Sequence, residues 1–502
     1  VGPIENVLVS VANKSGLDDL ARQLSAMGIS ILATSGTGEY LRQKGVDHVD
    51  ISTLTGKVEY LGGLVKTLHP AIHAGILARR DDRGHMAELD SAGWRKIDMV
   101  VVNFYPLGGD REERDLAFID IGGPSMARAA AKNYKACVPV PHPSWYDRII
   151  GEIQSTGDVN DDLRWELATD TLLRTGTYDA KTLGLVSPQT SVQIGADSIL
   201  LGLEKTLDLR YGENPHQKAA FYTAAGRLQI EILKGELSYN NMLDLDCCLN
   251  QLTEFEGSAA VVVKHVGPCG VAEAEVGSEA LENAYACDPL SAFGGVIGVN
   301  FPFTQECSRI LAKKFVECIV APDYEDAALE GLMKKKRTRV VKVPAFGPKA
   351  YTLRSSVCGV LAQSYDDRLV IENLDFADGE PPNDSVVGDL MFAWKVVKHV
   401  KSNAVIFARD KRTLGIGTGQ PSRVDATKIA IRKAAEEGHD LKGSVMASDG
   451  FFPFPDSVQL AAEAGARAVI QPGGSIRDGE VIEAAGAAGI TMVLTGTRHF
   501  RH

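Results

Sequence analysis

Short apolar runs separated by stretches of helical periodicity limit what this chain can become more than any other feature. Asn6-Val-Leu-Val-Ser10 is apolar enough for a buried parallel strand, and Leu17, Leu20, Ala21, Leu24 and Met27 then recur at helical spacing. Ile29 to Ala33 reads as a second strand, Thr34-Ser-Gly-Thr-Gly38 as a small-residue loop, and a second helix follows. Met99-Val-Val-Val-Asn-Phe104 is a further strand, ending at Tyr105-Pro106. Strands that alternate with helices return to the sheet by crossover, so the expected fold class is α/β with a parallel, doubly wound first domain. The 502 residues suffice for two to four domains, each with its own core. The stretch Ser187 to Ser198, rich in Ser, Gln, Thr and Gly, is the candidate boundary. No sequence repeat is evident.

Composition excludes several classes. A net charge of -12 leaves a general nucleic-acid binder without the cations to neutralise many phosphates, although one local cationic pocket remains compatible with it. No apolar run reaches membrane-spanning length, and no charged-then-apolar leader opens the sequence, which begins at Val1. The eight cysteines form no Cys-x-x-Cys pair and no framework spacing, which points to reduced thiols and a cytoplasmic home.

Chemistry-bearing residues gather at the strand ends. The loop Thr34 to Gly38 offers backbone N–H groups and hydroxyls at a helix N-terminus, a natural phosphate seat. No Gly-Lys-Ser/Thr follows it, and Leu41 stands where a dinucleotide fingerprint needs its third glycine, so it is neither of those motifs. Lys66, Thr67, His69 and His73 share one Pro/Gly-punctuated segment, Asp120 sits in the turn Ile119-Asp-Ile-Gly-Gly123, and Lys132 and Asn133 lie on the helix after it. Two lysines, a tyrosine and an aspartate near strand ends suggest an anionic substrate. Farther on, Leu209-Arg-Tyr-Gly-Glu-Asn-Pro-His-Gln217 packs a guanidinium and a phenol into nine residues, and Phe293 in a polar turn can stack on a planar ligand. Val261-Val-Val is a buried strand that Gly267, Pro268 and Gly270 are expected to stop, leaving Lys264 and His265 at its end. Histidine titrates near neutral pH, and an adjacent ammonium disfavours its protonated form, which leaves it available as a base. A solvated Lys-His pair on a loop is the plainer alternative. The cationic run Leu332 to Lys342 reads as a helix C-terminus complementing the dipole rather than as a polyanion site. Gly415-Ile-Gly-Thr-Gly-Gln-Pro-Ser-Arg423 reads as a glycine loop.

Eight motifs in order, V-K-T-L-H-P, I-D-I-G-G, A-A-K-N, L-R-Y-G-E-N-P-H-Q, V-K-H-V-G-P, K-S-N-A-V, Q-P-S-R and S-D-G-F-F-P-F, resemble one family across essentially the whole chain. It is the bifunctional purine-biosynthesis family that joins 5-aminoimidazole-4-carboxamide ribonucleotide (AICAR) formyltransferase to inosine monophosphate (IMP) cyclohydrolase. The resemblance implies a methylglyoxal-synthase-like parallel-sheet domain over 1–197 and a formyltransferase region over 198–502, built from two cytidine-deaminase-like α/β subdomains. It implies a homodimer with the transferase site at the interface, and 10-formyltetrahydrofolate as co-substrate. By the same resemblance Lys264 and His265 are the transferase's catalytic pair, and Asn403 holds the formyl oxygen or His265. Arg210, Tyr211, Asn241, Phe293, Glu317, Arg423, Phe451 and His502 surround nucleotide and folate. In the first domain Lys66, Tyr105, Asp120 and Lys132 are implied for ring closure of formyl-AICAR (FAICAR) to IMP, with Ser10, Lys14, Thr34, Ser35, Gly36, Thr37 and Thr67 around the phosphate. The chain departs from the family's Gly-Arg-Val-Lys-Thr at Leu64, which removes one cation beside the nucleotide.

Two other readings compete. The deaminase-like fold suggests zinc with His265 and Cys269 as ligands, but there is no His-x-Glu and no Pro-Cys-x-x-Cys, so no catalytic metal is expected. The first domain could instead be a nucleotide- or sugar-phosphate-sensing module beside a formyltransferase. A sensor needs only the phosphate loop, not Lys66, Tyr105, Asp120 and Lys132 around it.

Overall fold

A computed structural model describes residues 3–56, 61, 65–107, 116–186, 194–223, 230–347, 349–369, 374–377 and 382–502. The chain divides into two compact units, Val1–Glu204 and Lys205–His502. Each is an α/β body with its own core.

In the first unit, β1 (Asn6–Val11), β2 (Ser30–Ala33), β3 (Val49–Asp50), β4 (Met99–Asn103) and β5 (Val138–Val140) form a parallel sheet in the order β3-β2-β1-β4-β5. Strand order reverses beside β1, where an open α/β sheet leaves a crevice at the strands' carboxyl ends. The register pairs Val9 with Ala33 and Val11 with Asn103, so Ser10, Thr34 and Asn103 emerge at one edge. Val7, Leu8, Val9, Met99, Val100 and Val101 are all buried, because helices cover both faces of a parallel sheet. The segment Thr34 to Gly38 is not a free loop. Ser35–Gln43 is already helical and Thr34 is its N-cap residue, so the small residues form the helix's first turn.

The second unit is built on one sheet of twelve strands. In spatial order these are Asp375–Phe376, Thr491–Leu494, Ala468–Gln471, Val445–Ser448, Val405–Arg409, Arg412–Gly417, Gly267–Ala274, Ser258–Lys264, Val296–Val299, Cys318–Ala321, Arg339–Lys342 and Glu231–Lys234. The halves of this sheet repeat one topology. Each begins with an edge strand and then a fourteen-residue helix, Tyr239–Leu252 or Asp384–Val397. A tight antiparallel hairpin follows, then a strand antiparallel to its first arm and two more strands parallel to that one. The hairpins' second arms pair antiparallel at the centre, Ala272 opposite Arg412. The repeat escapes a reading of the sequence because topology needs only the order of apolar runs and turns, not matching residues.

Three local expectations change. Gly267, Pro268 and Gly270 do not end the strand region; they open the next strand, with the register shifting between Pro268 and Gly270. The first three residues of the run from Gly415 are likewise strand, since Arg412–Gly417 pairs with Val405–Arg409. Both glycine patterns reflect helix packing: a Cβ on Gly270 would lie 1.9 Å from the Ala284 carbonyl oxygen, and one on Gly417 1.8 Å from that of Ala426. Finally, the helix Asp326–Met333 ends before most of the cationic run, and Arg339–Lys342 is a strand. Its last carbonyls are met instead by Lys234, whose Nζ donates to Leu332 at 2.9 Å and Met333 at 3.0 Å.

Candidate functional site

In the first unit the phosphate-seat residues converge at the β1 edge. The Thr34 hydroxyl donates to Ser10 Oγ at 3.3 Å, and Thr37 Oγ1 accepts the Val11 N–H at 3.2 Å. Thr34 makes no side-chain cap bond to the Ser35–Gln43 helix, leaving its N-terminal turn to face the crevice with the dipole's positive end. Lys14 donates to the Val11 carbonyl, and burial lowers its pKa from the usual lysine value. Sequence reasoning missed Asn103. Its Oδ1 accepts from Ala12 N at 2.7 Å and Asn13 N at 2.8 Å, and its Nδ2 donates to the Asn13 carbonyl at 3.0 Å, tying β4 to the Val11–Lys14 turn. Its place as the last residue of an apolar strand was the available signal.

Asp120 belongs to the same edge. Its Oδ1 accepts the Gly123 N–H at 2.9 Å, and the Tyr178 hydroxyl holds its own N–H at 2.9 Å. Burial raises the Asp120 pKa above the ordinary carboxylate range, against the Gly123 and Tyr105 N–H groups, which favour the anion. The turn is glycine because Thr67 lies against it: a Cβ on Gly122 would meet Thr67 Oγ1 at 2.2 Å. Thr67 is buried, Lys66 half-buried and Tyr105 exposed. His69 has a structural role, since its Nδ1 accepts the Ala71 N–H at 3.1 Å and caps the helix Pro70–Leu77. Lys132 is not brought to this cluster. It ends the helix Gly122–Lys132, about 15 Å along the axis from Gly122. Its neighbour Asn133 bonds the Ile76 and Ala78 carbonyls there. Leu64 lies outside the described residues.

In the second unit Lys264, His265 and His502 line a cleft of about 740 Å³, together with Arg354, Lys401, Lys433 and Arg501 and, among the described residues, two carboxylates, Glu213 and Asp288. Sequence reasoning missed those four cations, because they come from distant elements. Lys264 Nζ donates to the Phe293 carbonyl at 2.7 Å, which brings Phe293 to the cleft through its backbone. His265 is exposed in the two-residue turn between paired Lys264 and Gly267. Asp244, also unanticipated, accepts the Val266 N–H at 2.6 Å.

The remaining candidates form two further groups. Arg210 donates to the Tyr211 hydroxyl at 2.7 Å and borders a cavity of about 520 Å³ with Glu317, Lys336, Arg337 and Arg339. Asn241 Nδ2 approaches Glu317 Oε1 at 3.3 Å, and Arg339 reaches the same oxygen at 3.2 Å. Arg423 is buried: it pairs with the fully buried Asp449 and donates to Ser448 Oγ and Asn403 Oδ1, both at 2.8 Å. Asn403 Nδ2 donates to the Gln420 carbonyl at 2.9 Å and that of Pro421 at 3.0 Å. Both amide donors are engaged, and the open capacity of Asn403 is the second lone pair on Oδ1. Phe451 is exposed nearby, beyond Gly450, whose Cβ would meet Arg423 and Phe500. Among the described residues no group of three or more His, Cys, Asp or Glu could hold a metal ion, and no helix is long and apolar enough to cross a membrane.

The model described as AICARFT/IMPCHase bienzyme matches residues 130–433, and that of the MGS-like domain matches 16–125. The chain belongs to the AICARFT/IMPCHase bienzyme family. The bifunctional purine biosynthesis protein PurH of Chlorobium luteolum is 44% identical over 519 residues, covering 99% of each chain. That of Persephonella marina is 43% identical over 516 residues with the same coverage. The crystal structure of ForH covers 38% of this chain and 100% of its own at 32% identity, with a TM-score of 0.35, too slight a likeness to carry an argument. Membership assigns both family activities to this chain, AICAR formyltransferase and IMP cyclohydrolase, and with the first a folate-derived formyl donor.

Proposed function

We propose that the two activities reside in separate units: formyl transfer in 198–502 at the Lys264–His265 cleft, and ring closure in 1–197 at the β1 edge. In the first reaction 10-formyltetrahydrofolate delivers its formyl group to the 5-amino group of AICAR, giving FAICAR. An aromatic amine is a weak nucleophile, so a base must take its proton as nitrogen attacks the formyl carbon, and His265 is that base. Lys264 stabilises the oxyanion that develops on the formyl oxygen, or protonates the departing folate N10. Asn403, with both amide hydrogens engaged, serves through its remaining Oδ1 lone pair by accepting from the His265 ring and orienting it. Arg210, Tyr211, Asn241, Glu317, Phe451 and His502 contribute to the nucleotide and folate subsites, and Arg423 acts by fixing Asn403. The observation that carries this reading is the cationic cleft with an exposed histidine on a tight hairpin turn. A phosphorylated substrate and an anionic folate both suit it.

In the second reaction the FAICAR carboxamide nitrogen attacks the formyl carbon and water leaves. Lys66, Tyr105 and Asp120 handle the charge and protons, while Ser10, Lys14, Thr34, Ser35, Gly36, Thr37 and Thr67 hold the phosphate. Lys132, which the family motif also implies for this step, stands at the far end of the helix Gly122–Lys132. The protein works as a cytoplasmic homodimer with its transferase sites at the interface, and each half of the second unit is a cytidine-deaminase-like subdomain.

A two-stage assay tests the assignment. Purified protein receives AICAR and 10-formyltetrahydrofolate, and tetrahydrofolate release and IMP formation are followed separately beside a Lys66→Ala variant. Both products from the parent, with the variant halted at FAICAR, support the two-site reading. Tetrahydrofolate without IMP from the parent leaves the first unit as a binding module.

A further inference from the structure

The histidine-bearing turn is held by a device that the structure uses twice. Lys264 pairs with Gly267, so the hairpin closes on two residues, His265 at φ +55° and Val266 at φ +62°. A hairpin with positive φ at both central positions is normally Asn-Gly, and a β-branched residue there is an outlier that its surroundings must enforce. In the other half Arg409 pairs with Arg412 around Asp410 at φ +53° and Lys411 at φ +51°. Each turn is met by a buried aspartate six residues into the preceding fourteen-residue helix. Asp244 accepts the Val266 N–H at 2.6 Å, and Asp389 accepts the Lys411 N–H at 2.9 Å.

The halves differ where function would require it. Three residues beyond Asp244, the Cys247 thiol donates to the Val266 carbonyl at 3.3 Å, so both peptide groups of Val266 are tied to the helix. The equivalent position beyond Asp389 is Phe392, which packs in the core and offers no such bond. The doubly held turn is the one that opens on the cationic cleft.

We propose that Asp244 is a positioning residue for formyl transfer: it clamps Val266 in the left-handed conformation that aims His265 into the cleft. Asp389 clamps its own turn for stability alone. The inference rests on His265 being the base. The clamp acts through geometry, so a glycine that adopts positive φ unaided can replace it.

Full-length Asp244→Ala, Asp389→Ala and His265→Gln variants and the Asp244→Ala, Val266→Gly double variant are compared by melting temperature, formyl-transfer kcat and AICAR KM; alanine is used because an asparagine oxygen would still accept the backbone N–H. Asp244→Ala is expected to lower kcat by about 10- to 100-fold with KM within about threefold, the scale of a catalytic group displaced by an ångström. Asp389→Ala should lower the melting temperature and leave kcat within about twofold, and Val266→Gly should return kcat of the double variant to within about tenfold of the parent. An Asp244→Ala enzyme with parental kcat beside an inactive His265→Gln overturns the clamp and leaves His265 standing as base. An active His265→Gln overturns the reading of the base, and the clamp with it. Equal kcat losses in Asp244→Ala and Asp389→Ala also overturn the proposal. Where Asp244→Ala does not fold, the double variant decides: folded and active supports the clamp, folded and inactive refutes it.

Discussion

Replacing Arg423 by methionine separates two roles that the structure gives to one side chain. Its side chain is 6% exposed, and the guanidinium faces Asp449, whose side chain is 0% exposed. Asp449 Oδ1 also accepts the Ala404 N–H at 3.0 Å, while its Oδ2 finds no hydrogen-bond donor among the described residues. Arg423→Met therefore strands a buried carboxylate, a loss of about 3–5 kcal/mol. With an unfolding entropy of about 2.1 cal/mol/K per residue, a unit of roughly 300 residues melts about 5–8 °C lower for that loss. The Arg423→Met, Asp449→Leu double variant removes the stranded charge and should recover much of the stability. It does not restore the 2.8 Å bond to Asn403, so formyl transfer should stay depressed in the double variant while FAICAR cyclisation is unchanged. Calorimetry and separate assays of the two reactions read the outcome. A melting temperature within 2 °C of the parent for Arg423→Met would refute the buried-pair argument, on the scale of roughly 1 kcal/mol. Formyl transfer that returns together with stability in the double variant would refute the anchoring of Asn403.

Two further predictions concern the first unit. Burial raises the folded-state pKa of Asp120, so the native state binds its proton more tightly than the unfolded chain and this group's contribution to stability falls as pH rises through that interval. Asp120→Asn should consequently melt higher than the parent at pH 7, the difference closing below about pH 4, while IMP formation drops by about 100-fold or more; a variant that melts lower at neutral pH would reverse the sign. Asn103→Ala removes three bonds from the Val11–Lys14 turn and should raise KM for FAICAR by about 5- to 150-fold, the equivalent of about 1–3 kcal/mol, with formyl transfer unaffected; an unchanged KM in steady-state cyclisation kinetics would show that the turn holds its shape without Asn103.

The sequence by itself determined the alternation of strands and helices in the first unit and the residue inventory. Apolar runs such as Asn6–Val11 and Met99–Asn103 could be buried only as parallel strands between helices. The ordered motifs carried the family and placed Lys264 and His265 at a strand end, because these signals are local. The periodicity of five or ten residues and the chemistry of one side chain do not depend on what packs against them. Tertiary structure decided everything that depends on approach between distant segments. Gly122 faces Thr67, Asn103 reaches back to Ala12 and Asn13, and Arg354, Lys401, Lys433 and Arg501 meet in one cleft from four separate elements. Gly270 reads as a strand stop and Gly417 as part of a glycine loop because a glycine in isolation signals a turn, whereas here each marks a carbonyl too close for a Cβ. Lys132 shares a helix with the Asp120 turn, yet the rise of that helix carries it away from the cluster its motif suggested. Asp244 and Asp389 were two unremarked acids in the sequence. Only the folded sheet, by duplicating a hairpin and setting a buried aspartate beneath each copy, gave them a shared task.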